Sequence, residues 1–247
     1  MLSKIDILTL FPEVISPYIQ SSIIKRAVTN NYIQVNTHNL RDYSSDLKHH
    51  KVDDVPFGGS MGMVIKVEPV KRALDAITNA DSHVVLLSPV GKTINMDLLH
   101  RLGEKKELVL LSGHYEGFDK RIDNYIHEKI SIGNIVLTGG EIPAMLLVDA
   151  LVRLIPGVLG NTDSCLNDSF YNGLLDWDVF TRPQNFDIFN VPDVLFSGHH
   201  RKVELWKKRS ALVNTLKYKP DLLASYKLNK EEQQLLVEYL LEEERNE

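Results

Sequence analysis

The sequence predicts an α/β fold built on a mostly parallel sheet, followed by a smaller helical region. Three observations predict it. Strand-like and helix-like runs alternate over the first 155 residues. Periodicity then disappears from Gly157 to about Asn190, and helical periodicity returns after Pro192. Alternation of this kind implies parallel strands covered on both faces.

Lys4 to Leu10 reads as the first strand, Glu13 to Thr29 as one helix, and Tyr32 to His38 as the second strand. Val67 to Thr78 reads as a helix with Pro69 in its first turn, where a missing N–H leaves no bond unmade. Three further apolar runs, His83 to Ser88, Leu108 to Ser112 and Lys129 to Leu137, read as strands. Helical segments near Met96 to Gly103 and Lys120 to His127 separate them. Pro143 then opens a helix, AMLLVDALVRLI, which Pro156 and Gly157 end. The next stretch, GNTDSCLNDSFYNGLLDWDVFTRPQ, is rich in Asn, Asp, Gly and Pro but carries Phe170, Tyr171, Leu174, Trp177 and Phe180. Plain disorder lacks such anchors, and long ordered loops are usually functional. Helices follow at roughly His199 to Lys217, Asp221 to Tyr226 and Lys230 to Glu244. The expected organisation is an α/β domain over residues 1–160, a linker over 161–190 and a helical domain over 191–247.

The 247 residues are 43% hydrophobic and 25% charged, the average of soluble globular chains. No apolar run reaches the roughly 18 residues of a membrane helix, and the start lacks a basic segment leading into a cleavable apolar one. The single cysteine, Cys165, excludes an internal disulfide and a Cys-based zinc cluster. A reducing, cytoplasmic location is expected. The net charge of −5 argues against indiscriminate nucleic-acid binding, but charge is unevenly spread. Arg201, Lys202, Lys207, Lys208, Arg209, Lys217 and Lys219 face only Glu204, and the last residues reverse sign through Glu231, Glu232, Glu238 and Glu242 to Glu244. Two readings stand: two solvated helix faces, or a patch for phosphates with an acidic cap behind it.

The stretch SIGNIVLTGGEIPAM pairs Gly139 with Gly140 where one glycine would serve a turn. Paired glycines admit positive φ, or let something approach where a Cβ would block it. A phosphate is the first candidate, but SPVGKT has Leu86 where a P-loop needs glycine, and no G-x-G-x-x-G follows any strand. The segments 86–91, 112–117 and 131–140 share a place at predicted strand ends, where open α/β sheets bind ligands. Carrying many backbone donors and little positive charge, they suit a neutral or zwitterionic ligand, such as an adenine held by main-chain hydrogen bonds.

Together SIGNIVLTGGEIPAM, LSPVGK, GHYEGFDKRI, VDDVPFGG and LVRLIPGVLGN…DSFYNGLLD…TRPQ resemble the bacterial tRNA (guanine-N1)-methyltransferases of the knotted SPOUT superfamily. The resemblance runs from TLFPE through VPDVLFSGHH and the helices beyond, nearly the whole chain. It implies a deep trefoil knot holding a bent S-adenosylmethionine (AdoMet), with a small all-helical C-terminal domain that grips tRNA. It further implies a homodimer with its active site at the subunit interface. The expected cofactor-binding residues are Leu87, Ser88, Pro89, Gly113, Tyr115, Glu116, Gly117, Ile132, Gly133, Asn134, Ile135, Val136, Leu137, Gly139 and Gly140. The family's activity is associated with Mg2+, but no carboxylate cluster marks a site, and adjacent His49 and His50 without supporting carboxylates do not suggest one.

Guanine N1 carries a proton, so methylation there needs a base, and charge spreading onto O6 needs a cation or donor. By resemblance Asp168 is the base and Arg153 its positive partner. Read alone, Asp168 is a turn or helix-cap aspartate and Arg153 a solvated helix residue. Glu116 is a rival acid, and Tyr115 read alone fills core. Asp53, Gly58 and Gly59 belong to a second polar loop that in the family helps receive the target guanosine. Lys207, Lys208 and Arg209 are expected against tRNA phosphates. The chain departs from its relatives at Gly59-Ser60-Met61-Gly62, where many read GGGPG. It also has His114 where many have arginine, and Asn134-Ile135 where many have Asp-Tyr. The expected target is the guanosine just 3′ of the anticodon, position 37. The alternatives are a knotted methyltransferase acting on ribose or rRNA, and a catalytically silent RNA-binding protein.

Overall fold

Alternating side chains along three strands place two cores on opposite faces of one sheet. Ile5 and Ile7, Val85 and Leu87, and Leu108 and Leu110 belong to one buried cluster. Their neighbours Leu8, Val84, Leu86, Val109 and Leu111 belong to the other. Successive strand residues point to opposite faces, so such runs fit only strands covered on both sides. In the computed structural model, which describes residues 1–59, 61–159 and 168–246, these are β1 (Lys4–Thr9), β5 (Ser82–Thr93) and β6 (Glu107–Leu111). With β2 (Gln34–Asn39) and β7 (Glu128–Ser131) they form a five-stranded sheet in the order β2-β1-β6-β5-β7. Every pairing in it is parallel.

The chain divides into two compact units, Met1–Thr162 and Asp163–Glu247. In the first, one face of the sheet is covered by α1 (Pro12–Ile19), α2 (Ser22–Thr29), α4 (Met96–Gly103) and α5 (Glu141–Arg153). The other face is covered by α3 (Val67–Ile77) and two 3-10 turns. A short ribbon of β3 (Asp53–Asp54) against β4 (Val64–Ile65) is antiparallel.

Several sequence expectations are corrected. The single helix over 13–29 is two helices. Pro17 removes a backbone donor, Ser16 Oγ bonds back to the Pro12 carbonyl, and Ser22 takes φ of 49°. The break re-phases the buried stripe from Ile15 and Ile19 to Ile24 and Ala27. The strand expected over 129–137 ends at Ser131, whose hydroxyl exchanges hydrogen bonds with the Gly133 backbone. The strand expected to stop at Ser88 continues to Thr93 through a register shift between Leu87 and Lys92. The segment 120–127 is a 3-10 turn, Lys120–Tyr125, rather than an α-helix.

In the second unit, β8 (Asn185–Phe186) and β9 (Phe189–Asn190) form a hairpin that periodicity did not reveal, because its two-residue turn carries no glycine. The helices are α6 (His200–Tyr218), α7 (Pro220–Ser225) and α8 (Lys230–Asn246). The apparently irregular 175–178 stretch is held by α6: Leu175 N donates to Thr215 Oγ1 (2.9 Å) and Asp178 N to Ser210 Oγ (2.9 Å). Asn229 and Glu232 cap α8 reciprocally, Glu232 N donating to Asn229 Oδ1 and Asn229 N to Glu232 Oε2.

Candidate functional site

A cleft of about 390 Å³ opens where β5, β6 and β7 give way to loops. Backbone closeness builds it. Gly140 N donates to the Gly113 carbonyl at 2.7 Å, and a Cβ on Gly140 would stand 2.8 Å from Gly113 N and 2.9 Å from Ser112 Cα. Backbone cannot yield as a side chain can, so residue 140 must be glycine. A Cβ on Gly139 would instead strike Glu141 and His114. Neither glycine serves a positive φ: what approaches them is protein. Gly91 obeys the same logic, since its Cβ would run into the backbone at Lys129 and Ile130. The lysine-bearing SPVGKT segment is thus a strand passing over β7, with no loop open to a phosphate.

The lining contains Leu87, Ser88, Pro89, Gly113, Tyr115, Glu116, Gly117, Ile132, Ile135, Val136, Leu137, Gly139 and Gly140. Gly133 and Asn134 are not part of it: Gly133, at φ 131°, makes the turn that carries the chain past β7. Tyr115 is 46% exposed and sits at φ 58°, so the core-filling reading is overturned. The 132–137 loop contributes apolar walls, with Ile135 and Val136 half or more exposed. Polar groups line it as well, among them Lys120, Asp123 and Lys129. Lys120 and Lys129 both reach Asp123, and Lys120 first, then Lys129, holds its carboxyl below the usual range.

The polar loop of β3 and β4 is joined to this cleft by backbone hydrogen bonds. Glu116 N donates to Met63 O (3.0 Å), Ile65 N to Gly117 O (2.9 Å) and Asp119 N to Ile65 O (2.9 Å). Gly62, at φ 100°, lies against the Glu116 side chain, where a Cβ would meet its Cγ at 2.6 Å. Asp53 pairs with Ile65 in the same ribbon. Gly58 and Gly59 take positive φ in open space, and Ser60 lies outside the described residues. Sequence reasoning missed this junction; its one signal was a glycine at 62. It also missed buried Thr9 and Glu141 behind the cleft, hydrogen bonded at 2.7 Å.

The profile of the family described as tRNA (Guanine-1)-methyltransferase TrmD matches residues 3–225. The chain belongs to that family. Curated tRNA (guanine-N(1)-)-methyltransferases are similar to it along almost their whole length. One from Staphylococcus carnosus is 49% identical over 96% of this chain and 97% of its own. One from Dehalococcoides mccartyi is 46% identical over 97% and 98%. One from Carboxydothermus hydrogenoformans is 48% identical over 94% and 92%.

The methyl donor that TrmD membership implies, AdoMet, fits the cleft. Its lining includes Gly113, Gly117, Gly139 and Gly140, where main chain rather than side chain faces a ligand. Its apolar loop and its polar lining residues suit a ligand with an aromatic end and a charged end, and its volume lies within the usual 300–1,000 Å³ of small-molecule sites. The other TrmD-implied residues lie apart in sequence. Arg153 is the exposed last residue of α5, where a cation favours the helix C-terminus. Asp168 is half-buried and opens a turn in which Tyr171 N donates to its carbonyl. On α6, Lys208 bonds Glu231 at 3.0 Å, Arg209 meets Glu242, and Lys207 sits 4.5 Å over the Trp177 ring. Among the described residues no group of three or more His, Cys, Asp or Glu could hold a metal ion.

Proposed function

We propose that this protein transfers a methyl group from AdoMet to N1 of guanosine 37 of tRNA, beside the anticodon, with Asp168 as the base. The observation that carries the reading is a family match over residues 3–225 that includes every segment lining the cleft. Methylation of guanine N1 in tRNA follows from the family; position 37 and the Asp168 base are proposed on the motif resemblance. Bound AdoMet supplies a methyl group already activated on a sulfonium. Asp168 takes the N1 proton, which frees a lone pair for attack, and Arg153 balances charge spreading onto guanine O6. Leu87 to Pro89, Gly113 to Gly117 and Ile132 to Gly140 hold the donor, while Asp53, Gly58 and Gly59 receive the guanosine. No step requires a metal ligand from this chain, and Mg2+ is proposed only as an accessory ion.

The same reading includes a trefoil knot through residues 1–160, a linker over 161–190, a tRNA-gripping helical domain over 191–247, and a cytoplasmic homodimer. Exposed Ile142 and Leu146, one helical turn apart on α5, support the dimer. No helix among the described residues is long and apolar enough to cross a membrane. Incubation with AdoMet and mixed tRNA, followed by nucleoside analysis, tests the proposal. It should yield 1-methylguanosine, and a tRNA transcript with adenosine in place of guanosine 37 should yield none. A 2′-O-methyl nucleoside would favour a ribose methyltransferase, and unmodified tRNA a silent binding protein.

A further inference from the structure

We propose that His114 is a cofactor-contacting residue of the cleft and that Glu141 is the positioning residue behind it. In this assignment Glu141 accepts a hydrogen bond from His114 Nδ1, and His114 Nε2 accepts one from a hydroxyl or amino group of the bound methyl donor. The inference rests on the placement of AdoMet in this cleft.

Glu141 opens α5 yet is only 6% exposed. A buried carboxylate is costly unless paired or hydrogen bonded. Fully buried Thr9 donates to its Oε1 at 2.7 Å. Its Oε2 faces His114 Nδ1 at 3.9 Å, beyond hydrogen-bond range. That nitrogen is buried and has no hydrogen-bond partner among the described residues. The two groups are held in register by the Gly140–Gly113 hydrogen bond and by an antiparallel bridge between His114 and Gly139. The space they share is the space Gly139 leaves: a Cβ there would come within 2.6 Å of His114 Nδ1 and would strike the Glu141 oxygen.

A side-chain adjustment of about 1 Å by His114 and Glu141 closes the gap to an ordinary charge-assisted hydrogen bond. The ring's orientation is already set by Phe11 and Tyr115, whose centroids each lie 4.9 Å from it at steep angles. Glu141 from α5, itself held by Thr9 at the end of β1, and these two rings are the groups that face it. A proton held on Nδ1 by Glu141 leaves the Nε2 lone pair as the ring's remaining polar function. His114 lines the cleft with 24% of its side chain exposed while Nδ1 is buried, so the accessible part of the ring is the part carrying Nε2.

The test uses the full-length protein labelled with nitrogen-15 histidine, with the His114 signals assigned from their loss in His114→Gln. Nuclear magnetic resonance should show His114 protonated at Nδ1 when AdoMet is bound. Glu141→Met keeps the volume and removes the acceptor. It should move the proton to Nε2 and weaken AdoMet binding, read by calorimetry, about 5–10-fold, the worth of one hydrogen bond. Thr9→Val/Glu141→Met removes both partners together and serves if the single variant folds poorly. Glu141→Gln, which still offers an oxygen, should restore tautomer and affinity. Wild-type tautomer and affinity in the methionine variants would overturn the proposal. Gly140→Val separates the two failures. If that variant binds AdoMet normally, the placement of the donor falls; if it loses binding while the methionine variants behave as wild type, only the role of His114 and Glu141 falls.

Discussion

Gly139 and Gly140 are adjacent glycines kept for different neighbours, one for a side-chain pair and one for a crossing backbone. The sequence could announce that something comes close there, because a doubled glycine is wasteful in a simple turn. It could not say what, since the approaching atoms belong to residues 112–114 and to Glu141. The carboxylate behind the cleft was invisible for the same reason: Glu141 reads as an ordinary first-turn acid until Thr9 and His114 are beside it. The roles proposed for Asp168 and Arg153 rest on family motifs alone, as neither stands in a pattern that spacing alone would flag. For them the expected outcome is specific. Asp168→Asn nearly preserves shape, so AdoMet affinity should hold while single-turnover methylation at saturating tRNA falls roughly 10²–10⁴-fold. Arg153→Ala should also slow chemistry more than it weakens donor binding. An Asp168→Asn rate equal to wild type would remove the aspartate from the role of base.

Strands and helices were read from periodicity, and the errors sit where elements cross. β5 extends past Ser88 because Lys92 and Thr93 find partners in Ile130 and Ser131, residues whose proximity no local window contains. At that edge Glu128 takes a bidentate grip from Arg101 and meets His83 at 2.7 Å. The guanidinium of Arg101 foremost, against the opposing effect of burial and with help from His83, holds the Glu128 carboxyl down to about 2. A carboxyl lowered in the folded state contributes stability above its unfolded value, near 4.5, and loses it as pH falls toward 2. Urea titrations across that window should show stability declining in the wild type and a flatter profile in Glu128→Gln. Equal slopes would mean that the pair contributes nothing to the fold.

The two readings of the basic helix also meet at this scale. Glu231 and Glu242 of α8 engage Lys208 and Arg209, so part of the positive charge of α6 is already answered within its own unit. Exposed ion pairs of this kind are worth little, and phosphates can compete for the cations. Replacing Lys207, Lys208 and Arg209 by alanine should flatten the dependence of log tRNA affinity on log salt by less than the roughly 2–2.7 of three full contacts. Replacing Glu231 and Glu242 by glutamine should steepen it. Unchanged slopes in both variants would leave α6 as a structural partner of α8 and no more.

For the whole molecule, composition and alternation were enough to foresee a parallel α/β unit followed by helices, because burial on both faces leaves its mark on every strand. An assembly would leave a fainter one. Val14 and Tyr18 on α1, and Ile142 and Leu146 on α5, are each more than a third exposed, and Tyr18 OH ties the two helices together through Asp149 at 2.5 Å. If this apolar face joins two copies, Ile142→Glu should sediment as a monomer and lose methylation. A wild-type protein that sediments as a monomer at micromolar concentration would remove the dimer.

The strand order carries a consequence for how the chain comes off the ribosome. β1 lies between β2 and β6, and Leu8 pairs with Leu111, about a hundred residues later. At about 5–20 residues per second, β1 remains without its second neighbour for about 5–20 s of translation. During that interval Ile5 and Ile7, fully buried in the finished fold, have water or a holdase chaperone against one edge of their strand. The walls of the cleft, at 113–117 and 132–140, are made later still. Cofactor affinity is therefore expected to be absent from every nascent chain shorter than about six-sevenths of the first unit, and ribosome-arrested chains of increasing length should acquire it in one late step.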